Sequence, residues 1–232
     1  MMDRSLEKGC VIFDFDGVIV DTEPIHFRAF QRVLEPLKLA FGWEEYVEDF
    51  IGYDDRDAFQ AAFRRTGKEM DLTTKNAMIQ KKALEFRKLA MRADNLVYDG
   101  VRELIRECRD AGFKLGICSG ALAKDIQCVL GRSDLLKEFE QIITADDVKA
   151  SKPDPESYQL ASARLGAGAG WAVAIEDTPA GIASARSAGL SVVGVTNSHP
   201  AESLQEANRV VDSLLELNAT ILKGIAQQGL SR

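Results

Sequence analysis

Asp14 and Asp16 stand two residues apart at the end of an apolar run, Cys10-Val11-Ile12-Phe13, and Gly17 follows them. A strand sends residues i and i+2 to the same side, so the two carboxylates converge while Phe13 and Phe15 take the opposite face. Gly17 lets the backbone turn sharply there. Two negative charges held so close need a cation, and an all-oxygen ligand set suits a hard one, Mg2+. In isolation, however, the run reads equally as a polar strand end and a turn.

Three further groups give it weight. Ser119-Gly120 follows an apolar run ending at Cys118, where a hydroxyl and free N–H groups can hold a phosphate oxygen; alone, Ser119 is as readily a helix cap. Lys152 sits in Ser151-Lys152-Pro153-Asp154-Pro155, a loop stiffened by its prolines, where an ammonium can offset a carboxylate and a phosphate together. A single loop lysine is otherwise a solvated one. Glu176-Asp177 closes the apolar run Trp171 to Ile175 and precedes Thr178-Pro179-Ala180-Gly181, a helix start at which one acid could equally be a cap.

These groups must be carried by strands that end on one edge of a sheet. From Asp99 onward helical periodicity alternates with short apolar runs: a helix from Val101 to Gly112, a strand over Phe113 to Cys118, a helix over Lys124 to Leu130, and a strand over Gln141 to Thr144. A helix from Asp154 to Gly166, a strand over Trp171 to Ile175, a helix over Pro179 to Ala188 and a strand over Leu190 to Val195 follow. Such alternation predicts an α/β fold built on a doubly wound parallel sheet, with ligands at the carboxyl ends of its strands.

Residues 22 to 95 carry no strand signal. Asp21-Thr22 and Pro24 open a helix with Ile25, Ala29, Val33 and Leu37 in register, and Trp43 to Ile51, Asp55 to Thr66 and Thr74 to Met91 are helical as well. That stretch is too long for one crossover. It predicts an inserted α-helical cap, residues 21–95, over an α/β core formed by residues 1–20 and 96–232, with the insert lying above Asp14 and Asp16.

The chain has 232 residues, of which 46% are hydrophobic, which suits a folded core and argues against disorder. Its net charge is −7, and no basic block tracks a phosphate backbone, so nucleic acid is excluded as a partner. Met1 to Lys8 is charged and lacks the apolar core of a secretory signal, and no stretch reaches the length of a membrane span. A cytoplasmic protein, monomeric or weakly dimeric and without membrane partners, is expected. Cys10, Cys108, Cys118 and Cys128 form no Cys-x-x-Cys pair and read as reduced structural thiols.

In order and context the four groups resemble the haloacid-dehalogenase superfamily of phosphotransferases. The matching segments are Asp14-Phe15-Asp16-Gly17-Val18-Ile19-Val20-Asp21-Thr22-Glu23, Ile117-Cys118-Ser119-Gly120, Ser151-Lys152-Pro153-Asp154-Pro155, and Ile175 to Ala185. The helical insert makes the chain look most like the β-phosphoglucomutase and small-molecule phosphatase branch. The resemblance implies Asp14 as nucleophile forming an aspartyl-phosphate and Asp16 as general acid and base. It implies Mg2+ held by Asp14, the Asp16 carbonyl and Asp177, with Glu176 either a direct ligand or an acceptor beside them. Ser119, Gly120 and Lys152 would bind the phosphoryl group. An acid two residues after the nucleophile also separates the chain from true dehalogenases.

In the cap, Gly52-Tyr53-Asp54-Asp55-Arg56-Asp57 resembles the branch's specificity loop, so Gly52, Asp55 and Arg56 are candidate substrate contacts, although Asp54 and Asp55 also suit an N-cap. Asp55 falls where the mutases carry an arginine that grips a second phosphate, which argues against a bisphosphate intermediate. His26 matches a hinge-side histidine of the mutases, while a single histidine on an amphipathic helix is more often packed or exposed. Lys75 resembles a cap lysine that faces phosphate. The reading is therefore a Mg2+-dependent phosphatase acting on a small phosphorylated metabolite, a sugar phosphate or a phosphoglycolate-like acid. A phosphomutase is the alternative, and a phospho-receiver module, which lacks such an insert, stands third.

Overall fold

In the computed structural model the described residues are 9–67, 70–131, 133–167 and 171–229. Met1 to Lys8, the segment read for a signal, lies outside them. Six parallel strands form one sheet in the order β3-β2-β1-β4-β5-β6: β1 Cys10–Phe13, β2 Lys114–Cys118, β3 Gln141–Ile143, β4 Ala172–Glu176, β5 Ser191–Val195 and β6 Arg209–Val211. The chain order reverses beside β1, which makes its carboxyl end the switch point of the sheet.

β1 is buried on both faces, and its alternation feeds two separate cores. Val11 and Phe13 join the layer under α5 (Val101–Asp110) and α9 (Ala219–Gly229), whereas Cys10 and Ile12 join the layer under α7 (Glu156–Leu165) and α8 (Pro179–Ser187). Fully burying an apolar side chain of this size contributes about 1.5–3 kcal/mol, so a continuous apolar run is what a central strand needs.

The insert is a four-helix cap: α1 Glu23–Leu34, α2 Trp43–Asp49, α3 Asp55–Arg64 and α4 Leu72–Ala90. It has an aromatic core of its own, in which the Phe41 and Phe50 rings stack with centroids 4.2 Å apart. α4 begins two residues before the Thr74 start that periodicity predicts, because the Asp71 carboxylate caps the Thr74 N–H at 2.9 Å. Two linkers join cap and core side by side, Val20 bridging Val97 and the Asp21 N–H donating to the Leu96 carbonyl at 2.7 Å. α6 (Ala123–Leu130) of the core packs against α4.

Candidate active site

The register of the sheet assembles the site. Phe13 pairs with Ile117 on one side and Ile175 on the other, so Asp14, Ser119 and Glu176 emerge at the ends of three adjacent strands. The Asp14 N–H still donates to the Ile175 carbonyl at 2.9 Å, and the Ser119 N–H to Ile143 at 2.9 Å, which fixes where each side chain leaves the sheet.

Lys152 joins the first and fourth groups. Its Nζ lies 2.6 Å from Asp14 Oδ1 and 2.6 Å from Glu176 Oε1, and it also donates to the Cys118 carbonyl at 3.1 Å. Burial works against a charge on Lys152, yet the two carboxylates hold its pKa well above the usual lysine value. Both Glu176 oxygens are engaged: Oε1 accepts from Lys152 and from the Tyr158 hydroxyl at 2.7 Å, and Oε2 from the Asp177 N–H and from Thr178.

Asp177 differs. Both of its carboxylate oxygens are buried without a hydrogen-bond partner, and only the nearby Ser198 hydroxyl pulls its pKa down. Ligand oxygens of Asp14, Glu176 and Asp177 all lie within 4.8 Å of one another. Three carboxylates around one ammonium leave two negative charges, the complement of one divalent cation. Without that cation, burial and the neighbouring Glu176 and Asp16 push the Asp14 carboxyl up to about 8 against the pull of Lys152, and burial with Asp14 and Glu176 raises Asp177 further above its ordinary range. Oxygen-only donors and an orphaned carboxylate fit a hard divalent ion. Gly17 is required beside it: φ is +80°, and a Cβ there would meet Asp177 Oδ2 at 1.9 Å.

Asp16 is bound from the cap side. Its Oδ1 accepts from the Thr22 hydroxyl and lies 3.2 Å from His26 Nε2, so Thr22, at the N-cap position of α1, serves Asp16 rather than the helix end. Lys82 Nζ lies 2.6 Å from His26 Nδ1 and 2.6 Å from Asp55 Oδ1. An ammonium only donates, which makes Nδ1 the acceptor and leaves the ring proton on Nε2, facing Asp16. Burial raises the Asp16 pKa, but His26, Thr22 and Lys82 outweigh it, and the carboxyl sits below its usual range.

Above these groups lies a cleft of about 270 Å³ lined from both domains, a size for a small metabolite rather than a macromolecule. Across its rim the Ser151 hydroxyl meets Asp57 Oδ2 at 2.6 Å, and Arg87 of α4 meets Asp125 of α6 at 2.7 Å.

The family model of haloacid dehalogenase-like hydrolases matches residues 11–195, the stretch from the second residue of β1 to the end of β5, with the helical insert between β1 and β2. The chain belongs to that family. The hydrolase is 31% identical over 206 residues to the phosphorylated carbohydrates phosphatase of Thermotoga maritima, covering 86% of this chain and 91% of the relative. A crystal structure of β-phosphoglucomutase from Clostridium difficile superposes with a TM-score of 0.86 at 25% identity, covering 97% of this chain and all of that one (100%). CbbY from Rhodobacter sphaeroides, crystallised in complex with xylulose-(1,5)bisphosphate, gives 0.82 at 25% identity, with 93% and 99% coverage.

In the hydrolase, Asp14, Asp16, His26, Gly52, Asp55, Arg56, Gly120 and Lys152 all line the cleft. Ser119 is buried next to Gly120, which lines the cleft; its oxygen accepts from the Ala121 N–H at 2.9 Å, which leaves the hydroxyl proton to donate. Lys75 does not line the cleft, and Lys82 does. Asp54 is the true N-cap of α3, accepting from the Asp57 N–H at 2.9 Å, so Asp55 is left to bind Lys82. Tyr46, Lys82 and Asp125 also line the cleft and Tyr158 bonds Glu176, and sequence reasoning missed all four. One signal was available for Lys82: it interrupts the apolar stripe Met78, Ile79, Ala83, Phe86 of α4, where a solvated lysine has no place.

Among the described residues no helix is long and apolar enough to cross a membrane.

Proposed function

We propose that the hydrolase is a Mg2+-dependent phosphatase of small phosphorylated metabolites that works through an aspartyl-phosphate. The observation that carries the reading is the Lys152 ammonium held at 2.6 Å from both Asp14 and Glu176, beside an Asp177 carboxylate with no protein partner. Asp14, the Asp16 carbonyl and Asp177 would hold the ion, and Glu176, both of whose oxygens are already occupied, would orient Lys152. Bound Mg2+ supplies charge neutralisation for an anionic nucleophile meeting an anionic ester.

Lys152 anchors one oxygen of Asp14, leaving the other to attack phosphorus. The bond to the leaving oxygen breaks, and Asp16 gives that oxygen its proton. Asp16 rests ionised beside His26, and the charge of an arriving phosphate ester raises its proton affinity so that it enters this step protonated. Asp16 then takes a proton from the water that attacks the aspartyl-phosphate, releasing inorganic phosphate and restoring Asp14. Lys152, the Gly120 N–H and the Ser119 hydroxyl stabilise the phosphoryl oxygens as charge redistributes. Residues 21–95 would act as a cap that excludes bulk water during these steps.

The likeness to β-phosphoglucomutase supports a second reading, a mutase on the same scaffold. Inorganic phosphate assay with a hexose monophosphate and Mg2+ separates the two. Stoichiometric phosphate release supports the phosphatase; isomerisation of the sugar phosphate without net release would replace it with the mutase.

A further inference from the structure

We infer that the substrate is the monophosphate of an uncharged polyol, and that the cleft rejects esters whose leaving group carries a second phosphate or a carboxylate. This rests on the phosphatase reading and narrows it.

Among the described residues no cation lining the cleft is left to hold a second anion. Lys152 is shared by Asp14 and Glu176, Lys82 pairs with Asp55 at 2.6 Å, and Arg56 Nε pairs with Asp54 Oδ2 at 2.7 Å. These pairs are not easily opened. Asp54 uses its other oxygen to cap α3, so surrendering Arg56 would disturb the helix start as well. Lys82 is buried, with the Phe30 ring centroid 4.6 Å and the Phe86 centroid 5.4 Å from its ammonium, and it also holds the His26 ring.

Besides Asp14 and Asp16 the wall of the cleft adds more acids. Glu23, Asp125 and Asp146 stand there with Asp54 and Asp55, against Lys82 and Arg56 in the wall and Arg87 behind Asp125: five carboxylates to three cations. A second anion would enter a wall with surplus negative charge and no unpaired counter-charge.

Hydroxyl groups meet no such barrier. Each donates to a carboxylate and accepts from a donor, and the wall offers both. Arg56 Nη2 is buried with no hydrogen-bond partner, while its charge is already balanced by Asp54, so an uncharged oxygen completes it. The Tyr46 hydroxyl, 2.5 Å from Glu23 Oε2, fixes that carboxylate as an acceptor in the wall.

The test is steady-state kinetics of the whole chain with Mg2+ on an aryl phosphate, a hexose monophosphate, the matching hexose bisphosphate and phosphoglycolate. The hexose monophosphate is expected to exceed the bisphosphate and phosphoglycolate in kcat/KM by at least about tenfold. Equal or better turnover of either competitor with a second anionic group, with the aryl phosphate also turned over, overturns the inference and spares the phosphatase reading. Failure to hydrolyse any ester, the aryl phosphate included, removes both. Asp55→Asn, which lifts one negative charge while keeping the side chain's shape, should shrink the monophosphate-to-bisphosphate ratio by at least about threefold. An unchanged ratio in that variant would count against the electrostatic argument even if the panel ranks as expected.

Discussion

His26 Nε2 lies 3.2 Å from Asp16 Oδ1, so the first helix of the cap touches the core at the carboxylate proposed to carry the acid–base chemistry. The opposite ring nitrogen accepts from Lys82, and Lys82 also donates to Asp55 at the start of α3. The state of Asp16 is thereby tied to the position of the cap through one buried ammonium.

Lys82→Met tests that tie. The substitution keeps an unbranched apolar side chain in the pocket and removes the donor that sets the His26 tautomer. Turnover of an aryl phosphate should fall by roughly tenfold to a hundredfold. Because Lys82 helps hold Asp16 below its usual range, its loss should also raise the Asp16 pKa and move the alkaline limb of the kcat/KM profile, where the general acid loses its proton, to higher pH. A lower rate with an unmoved alkaline limb would leave Lys82 a packing role only.

Asp14→Asn should lower turnover by at least about a thousandfold while the protein stays folded. The same change removes one carboxylate from a crowded buried group, so the metal-free variant should melt no lower than the metal-free parent at neutral pH, and should bind Mg2+ more weakly. Comparable turnover in parent and variant, measured with a generic aryl phosphate, would take Asp14 out of the nucleophile's role.

Metal binding should depend on pH with a definite sign. In the metal-free protein the Asp14 carboxyl is pushed up to about 8, and Asp177 lies above its ordinary range, so the folded state holds protons that the unfolded chain releases near pH 4. Their contribution to stability is complete below about pH 4 and is lost as pH rises through about 8. Mg2+ displaces those protons. Its affinity should therefore rise from about pH 6 to about pH 8, by up to about tenfold per pH unit for each proton displaced, and its increment in Tm should grow over the same interval. Calorimetric titration in buffers of different ionisation enthalpy reads both affinity and proton release; a flat affinity with no proton uptake by buffer would mean the carboxylates are already ionised.

Much of the core site was legible because a parallel sheet leaves little freedom. Asp14, Ser119 and Glu176 each directly follow or end an apolar run, and once β1 lies between β2 and β4 in register they come together at one edge. The cap was harder. Lys75 and Lys82 lie seven residues apart on α4, which puts them on nearly the same face but about 10 Å apart along the axis. Periodicity finds the face and not the depth, and only the packing of α4 against α1 makes Lys82 the one that meets His26. Local capping hid Asp55 in the same way, since either Asp54 or Asp55 satisfies the sequence rule and the choice between them follows from the backbone.

Glu176 and Asp177 are adjacent acids with opposite surroundings, and this separates their roles. Glu176 accepts at both oxygens, chiefly to place Lys152, while neither Asp177 oxygen has a partner. Asp177→Asn should then weaken Mg2+ binding by at least about a hundredfold, whereas Glu176→Gln should cost less, toward the roughly tenfold end of the scale for a residue acting through its neighbours. Glu176→Gln should instead appear in kcat, because a neutral amide no longer shares the Lys152 charge with Asp14. Direct Mg2+ titration of both variants, alongside single-turnover rates at saturating metal, distinguishes these effects. A larger affinity loss in Glu176→Gln than in Asp177→Asn would make Glu176 the ligand and leave Asp177 as the buried charge to be explained.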